Sequence, residues 1–203
     1  MLSQRNLVSN TWATYDTLPT RPDDLRLSFL PLSHVFARTC DLYTWIAAGA
    51  KLALTESRET VLADCATLGP TLLSGVPYFF DKVYRDLVEQ GLAEQPGSLA
   101  KLLGGNMRLC CCGGAALADH VFEFFQRQKV PLLQGYGLTE TSPVITISTE
   151  SVAKAGAVGQ PIPDVEVKIA ADGEILTRGP HVMPGYWKNQ AATDEIINYT
   201  DLT

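Results

Sequence analysis

Five short apolar runs alternate with longer stretches of helical pattern between Arg26 and Gln134, and this alternation limits the fold more than any other feature. "RLSFL" (Arg26–Leu30) reads as a strand, followed after Pro31 by a helix from about Val35 to Ala48. "KLAL" precedes a helical stretch near Thr60–Leu68, and "TLLSGV" precedes a longer one from about Tyr78 to Gln90. "MRLCCC" leads into "LADHVFEFFQRQ", where Leu117, Val121, Phe124 and Phe125 recur at i, i+4, i+7 and i+8 and form one apolar helix face. "VPLLQ" closes the series. Strands separated by helices are joined by crossovers, so the fold class is α/β, a parallel sheet with covering helices.

After about Ser151 the character changes. Val165–Ile169 and Glu174–Arg178 alternate with period two, and Asp172-Gly173 between them signals a hairpin. The expected division is therefore residues 1–150 as the α/β part and 151–203 as a small β element.

The chain carries 16 basic and 22 acidic residues, a net charge of -6, with no basic block. That gives no electrostatic footprint for nucleic acid. "MLSQRNLVSN" lacks the apolar core of a secretory signal, and the run "LYTWIAAGAKLAL" is interrupted by Lys51 and too short to span a bilayer. The expected location is cytoplasmic, which leaves peripheral membrane contact compatible. Cys40, Cys65 and the triplet Cys110–Cys112 show no C-x-x-C spacing, and His34, His120 and His181 are scattered. The triplet reads as small buried thiols in a core strand rather than a metal or redox site.

The stretch "LLQGYGLTETSPV" stands apart. Gly135 and Gly137 flank Tyr136 and let the backbone approach a ligand closely. Thr139, Glu140, Thr141 and Ser142 then offer hydroxyls and one carboxylate, a set suited to a phosphate and a hard cation. The plainer reading is a strand-to-loop turn with a packed Tyr136 and a solvated Glu140. Glycine turns after two successive strands, at Gly113-Gly114 and Gly135–Gly137, favour a site, because ligands in open α/β sheets bind at the carboxyl ends of strands.

Together these motifs resemble the adenylate-forming, acyl-activating enzymes. "GYGLTE" is similar to their adenine-and-phosphate element, and "CCGGAAL" to the glycine turn lining their nucleotide and acyl pocket. "GEILTRGPHVMPGYWKN" resembles the segment leading to their ribose-binding element, while "LPLSHVFART" and "GVPYFFDKVY" look like long-chain fatty acyl-CoA synthetases. The resemblance implies activation of a fatty acid with ATP and Mg2+ to an acyl-adenylate, then transfer of the acyl group to coenzyme A. By position it implies Tyr136 against the adenine and Thr139 on the α-phosphate. It implies Glu140 on the metal, with Gly114, Ala115 and Ala116 as a small-residue wall. His34 would lie near the reacting carboxylate or the departing phosphates; the plainer reading is a first-turn histidine of a helix capped by Ser33. Tyr186 and Trp187 read as packing, and Arg178 and Lys188 as surface residues.

The resemblance also implies parts that this sequence does not display. A Ser/Thr/Gly-rich phosphate loop is expected just ahead of "MLSQRNL", and a ribose-binding Asp within a Thr-Gly-Asp; here only Asp201 in "NYTDLT" corresponds. The domain bearing the adenylation lysine is expected beyond it. The expectation is a fragment of a fatty acid–CoA ligase, inactive by itself, to which a complementary chain could supply the rest. The alternative is a non-catalytic module that binds nucleotide or acyl groups, or docks a partner.

Overall fold

The computed structural model describes residues 1–18 and 20–197. The chain opens with helix α1 (Gln4–Thr17) and strand β1 (Leu25–Ser28). Next come α2 (Val35–Ala37), a π-helical segment Arg38–Tyr43, α3 (Thr44–Ala48) and β2 (Lys51–Leu54). Helix α4 (Val61–Leu68), β3 (Leu72–Gly75), α5 (Pro77–Glu89), α6 (Ser98–Leu102), β4 (Leu109–Cys112) and α7 (Asp119–Arg127) continue the alternation. Strand β5 (Leu132–Gly137) and a 3-10 turn (Thr139–Thr141) follow, then β6 (Val144–Ile147) and β7 (Gln160–Pro161). The hairpin β8 (Glu166–Ile169) and β9 (Ile175–Arg178) precedes α8 (Gln190–Ile196).

The main sheet has seven strands in the order β2-β1-β3-β4-β5-β6-β7. Strands β1 to β5 are parallel, as the alternation requires, whereas β6 and β7 add antiparallel. Strands β8 and β9 form their own two-stranded sheet, closed through Asp172-Gly173, with Gly173 at φ 93°. The fold is an α/β parallel sheet with covering helices and a small separate β element.

Pleating sends alternate residues to opposite faces. Leu27, Leu73, Cys110, Cys112 and Leu132 turn to one face and pack with helices α4, α5, α6 and α7 into the main core. Val121, Phe124 and Phe125 of α7 are buried there as the spacing requires, with Phe125 edge-on to Phe80 of α5 at 5.5 Å. All five cysteines are free, and the triplet straddles the sheet. Burial pushes the Cys111 thiol up to about 11 and Cys112 to about 12, so these are packing groups, as expected.

Helix α1 has no counterpart in the apolar pattern. Ser3 caps it reciprocally with Asn6, but its buried side chains are mainly Asn6, Asn10, Thr11 and Thr14. A helix that buries polar groups carries no apolar stripe to read.

Candidate functional site

The second face of the sheet carries a small apolar cluster, Leu72, Leu109 and Leu133 with Leu18 and Cys111 against it, beside a cavity. Register places Arg26, Leu72 and Leu109 at one level. Ser74, Cys111 and Leu133 stand level with one another, closer to the strands' carboxyl ends. Leu18 beyond α1, with Val35, Phe36, Cys40 and Thr44 of the α2–α3 stretch, faces them across a cavity of about 320 Å3. That volume lies within the range of small-molecule sites, and most of the wall is apolar.

The mouth of the cavity is built from the glycine segments. Gly113 and Gly114 follow β4, and Gly135, Tyr136, Gly137, Thr139 and Glu140 come from β5 and the turn after it. His34 lines the same cavity. The Gly-Tyr-Gly segment is not a turn after the strand. It continues β5 and pairs antiparallel with β6, with a register shift between Tyr136 and Gly137. Glycine is required at 137 because a Cβ there would be driven into the Pro143 carbonyl. Gly114 holds φ at +87°, a left-handed conformation that L side chains avoid.

Two of the expected wall residues fall outside the cavity: Ala115 and Ala116 are exposed and do not line it. Asp201 lies outside the described residues. His34 corrects the expected cap, for it and not Ser33 occupies the N-cap of α2. Its Nδ1 accepts the Phe36 N–H at 3.3 Å, which leaves Nε2 to carry the proton of the neutral ring.

Glu140 is held from both sides. The Tyr186 hydroxyl donates to its carboxylate at 2.7 Å, and the Met183 N–H donates to its carbonyl at 2.8 Å. The carboxylate in turn raises the phenol's pKa, since ionising Tyr186 would break that bond and set two anions together. Tyr186 thus makes a polar contact that its reading as a packing residue did not include, and Trp187 beside it is 69% exposed. Arg178 does lie on the surface, paired with Glu166 at 2.6 Å, and Lys188 stands over the Trp187 ring.

Helix α1 fixes the rest of the loop. Asn10 Nδ2 donates to the Val144 carbonyl at 2.7 Å, and its Oδ1 accepts the Val144 N–H at 3.1 Å. Asn6 Nδ2 donates to the Pro180 and Val182 carbonyls, each at 2.8 Å. The buried amides of α1 thus tie the Thr139–Val144 loop and the tail to one support.

Part of the cavity wall is polar. Arg26 lines it, with Nη1 at 3.0 Å from Asp41 Oδ1 and 3.1 Å from Ser74 Oγ. Ser28 donates to the other Asp41 oxygen at 2.8 Å. Arg26 and Asp41 are 6% and 0% exposed. Removing either partner of such a buried pair strands the other charge and costs about 3–5 kcal/mol. The wider winding of Arg38–Tyr43 carries Asp41 into this position, a local signal that the apolar pattern does not encode.

Among the described residues, no group of three or more His, Cys, Asp and Glu side chains could hold a metal ion. Glu140 alone suits Mg2+ better than a caged metal, because Mg2+ keeps waters and takes one or two carboxylates plus phosphate oxygens. Among the described residues, no helix is long and apolar enough to cross a membrane.

Fold and site together define an α/β protein whose ligand cavity opens at the carboxyl ends of parallel strands. A family model described as AMP-binding enzyme matches residues 1–187, and the chain belongs to that family. It is 32% identical to the long-chain-fatty-acid–CoA ligase FadD15 of Mycobacterium bovis, over 96% of this chain and 39% of that protein. It is 30% identical to a long-chain-fatty-acid–CoA ligase of Salmonella typhimurium, over 97% of this chain and 36% of that one. Among solved structures, a malonyl-CoA ligase in a ternary product complex with methylmalonyl-CoA and AMP superposes with a TM-score of 0.82. It is 26% identical, with 98% of this chain and 44% of that one covered. The chain therefore spans about two fifths of the length of the curated relatives that it matches.

Proposed function

We infer that this chain is the nucleotide- and acyl-binding segment of an AMP-forming long-chain fatty acid–CoA ligase. One observation carries the reading: a single cavity joins the glycine, threonine and carboxylate groups at its mouth to an apolar interior. A molecule with a charged head and an alkyl tail fits that gradient. The 30–32% identity to long-chain ligases supports the fatty acid over a short polar acid.

In the proposed reaction a carboxylate oxygen attacks the α-phosphorus of ATP, and pyrophosphate leaves. The coenzyme A thiolate then attacks the acyl carbon, and AMP leaves. Little covalent work falls to the protein, so positioning and charge stabilisation dominate. Tyr136 packs on the adenine, and Gly114, Gly135 and Gly137 admit it closely. Thr139 donates to the α-phosphate, and His34 donates from Nε2 to the oxygen of the reacting acid. Glu140 would hold Mg2+, which supplies positive charge to the phosphates gathered there. Ala115 and Ala116 stand just outside the cavity and belong to its rim at most, while Asp201 is assigned to the ribose only by its place in the motif.

The division near residue 150 belongs to the same reading, with the tail bracing Glu140 from outside the sheet. The remaining machinery comes from the rest of a longer polypeptide or from a complementary chain. A cytoplasmic location fits, with peripheral membrane contact where long-chain acids partition.

The test is equilibrium binding of a non-hydrolysable long-chain acyl-adenylate analogue to the purified chain. The expected result is saturable binding competed both by AMP and by a long-chain acid. Failure of either competitor would overturn the assignment of its half of the cavity.

A further inference from the structure

We propose that Thr14 and Arg26 form a polar subsite in the wall of the acyl cavity, which receives a neutral oxygen, a hydroxyl or keto group, carried part-way along the acid's chain. The inference rests on the reading of the cavity as an acyl site.

Thr14 and Arg26 both line the cavity and are 5% and 6% exposed. Each keeps one polar atom without a hydrogen-bond partner among the described residues, Oγ1 of Thr14 and Nε of Arg26. Helix α1 could have satisfied the first. Thr11 Oγ1 donates to the Leu7 carbonyl at 2.7 Å, and Thr17 Oγ1 to the Ala13 carbonyl at 2.8 Å. Thr14 lies between them in sequence and makes no such bond. The guanidinium uses both of its Nη atoms, on Asp41, Ser74 and, at 3.3 Å, Thr20 Oγ1. Nε alone is left over.

These two atoms select by chemistry. Nε can only donate, and the Thr14 hydroxyl can donate or accept. A ligand hydroxyl accepts from one and donates to the other, and a keto oxygen accepts from both. A methylene answers neither. A second carboxylate is disfavoured, because Asp41 already offsets the Arg26 charge and is fully buried beside it. Leu18, Leu72 and Leu109 make the neighbouring wall apolar, so the rest of the chain is alkyl. A buried polar group left unpaired is costly, so an acid that pairs it should bind about tenfold more tightly than one that does not.

The experiment measures the affinity of the 203-residue chain for one saturated long-chain acid and for its hydroxy and keto derivatives, one chain position at a time. The readout is displacement of a fluorescent fatty acid. A derivative at one position should bind about tenfold more tightly than the plain acid. In Thr14→Val, which keeps the shape and removes the hydroxyl, that ratio should fall toward one. A structural role alone would weaken both acids alike, and an unchanged ratio overturns the proposal.

A second measurement needs no variant. The preferred derivative, with a diazirine on the carbon next to its oxygen, should label residues 6–26. They form one tryptic peptide that holds both Thr14 and Arg26, because Pro22 protects the bond after Arg21. Labelling confined to Gly113–Gly114 or Gly135–Glu140 also overturns the proposal. If the native chain binds the plain acid and prefers no derivative to it, the subsite alone fails. If it binds no acid at all, the acyl reading fails and the subsite falls with it.

Discussion

The Tyr186 hydroxyl donates a 2.7 Å hydrogen bond to Oε1 of Glu140, joining residues 46 positions apart. The bond orients the carboxylate that the proposed function assigns to the metal. Partners that orient a ligand are worth about 10- to 100-fold in metal affinity or activity. In an intact ligase carrying this segment, Tyr186→Phe should raise the Mg2+ needed for half-maximal ATP–pyrophosphate exchange about tenfold. Circular dichroism should remain native. An unchanged Mg2+ requirement would remove Tyr186 from the site.

Glu140→Gln keeps the volume and removes the charge. In the same intact ligase it should lower acid-dependent ATP–pyrophosphate exchange by about 10²- to 10³-fold at saturating acid. The KM for the acid should change little, because the carboxylate acts on developing charge rather than on the alkyl tail. Exchange near the unmodified rate would show that Glu140 serves the loop only.

Asn10 is 1% exposed and satisfies both the N–H and the C=O of Val144. Asn10→Ala should cost about 2–4 kcal/mol, since two buried backbone groups would lose their partners. Urea unfolding of the isolated chain measures this. A loss below about 0.5 kcal/mol would mean that the loop does not depend on α1.

His181 should make the fold acid-sensitive. Burial lowers its pKa from 6.5 to about 4, so near pH 5 the unfolded chain binds a proton that the folded chain refuses. This contribution is fully present above pH 6.5 and is lost progressively as pH falls toward 4, by about 3 kcal/mol in all. The His181 carbonyl accepts Ser142 Oγ at 2.9 Å, so the loop after Glu140 should loosen with it. Chemical denaturation at pH 7 and pH 4.5, compared with His181→Gln, should show a smaller drop in the variant. Equal drops would assign the acid sensitivity elsewhere.

The parallel sheet was legible because β1, β3, β4 and β5 each bury an apolar residue on the helix-covered face, and the α7 face was legible because Val121, Phe124 and Phe125 fall on one stripe. The hairpin was legible because Gly173 takes a left-handed φ that few other residues accept. Helix α1 was not, because it buries asparagines whose worth depends on backbone groups more than a hundred residues away.

The mouth of the cavity divides in the same way. Gly114, Gly135, Tyr136, Gly137, Thr139 and Glu140 announce themselves by residue type, since close approach demands glycine and charge demands a carboxylate. Tyr186 gives no such signal, for a tyrosine that packs and one that orients a carboxylate are the same letter. Ala115 and Ala116 show the reverse, small residues in the right motif that the backbone turns outward. By itself the sequence determined the strand-helix order, the hairpin and most of the groups at the mouth, because these depend on local periodicity and backbone freedom. Only the tertiary structure decided that Tyr186 meets Glu140, that α1 supports the loop, and that Arg26 pairs with Asp41. Those are hydrogen bonds and ion pairs between distant segments, and their free energy exists only once the sheet has brought the partners together.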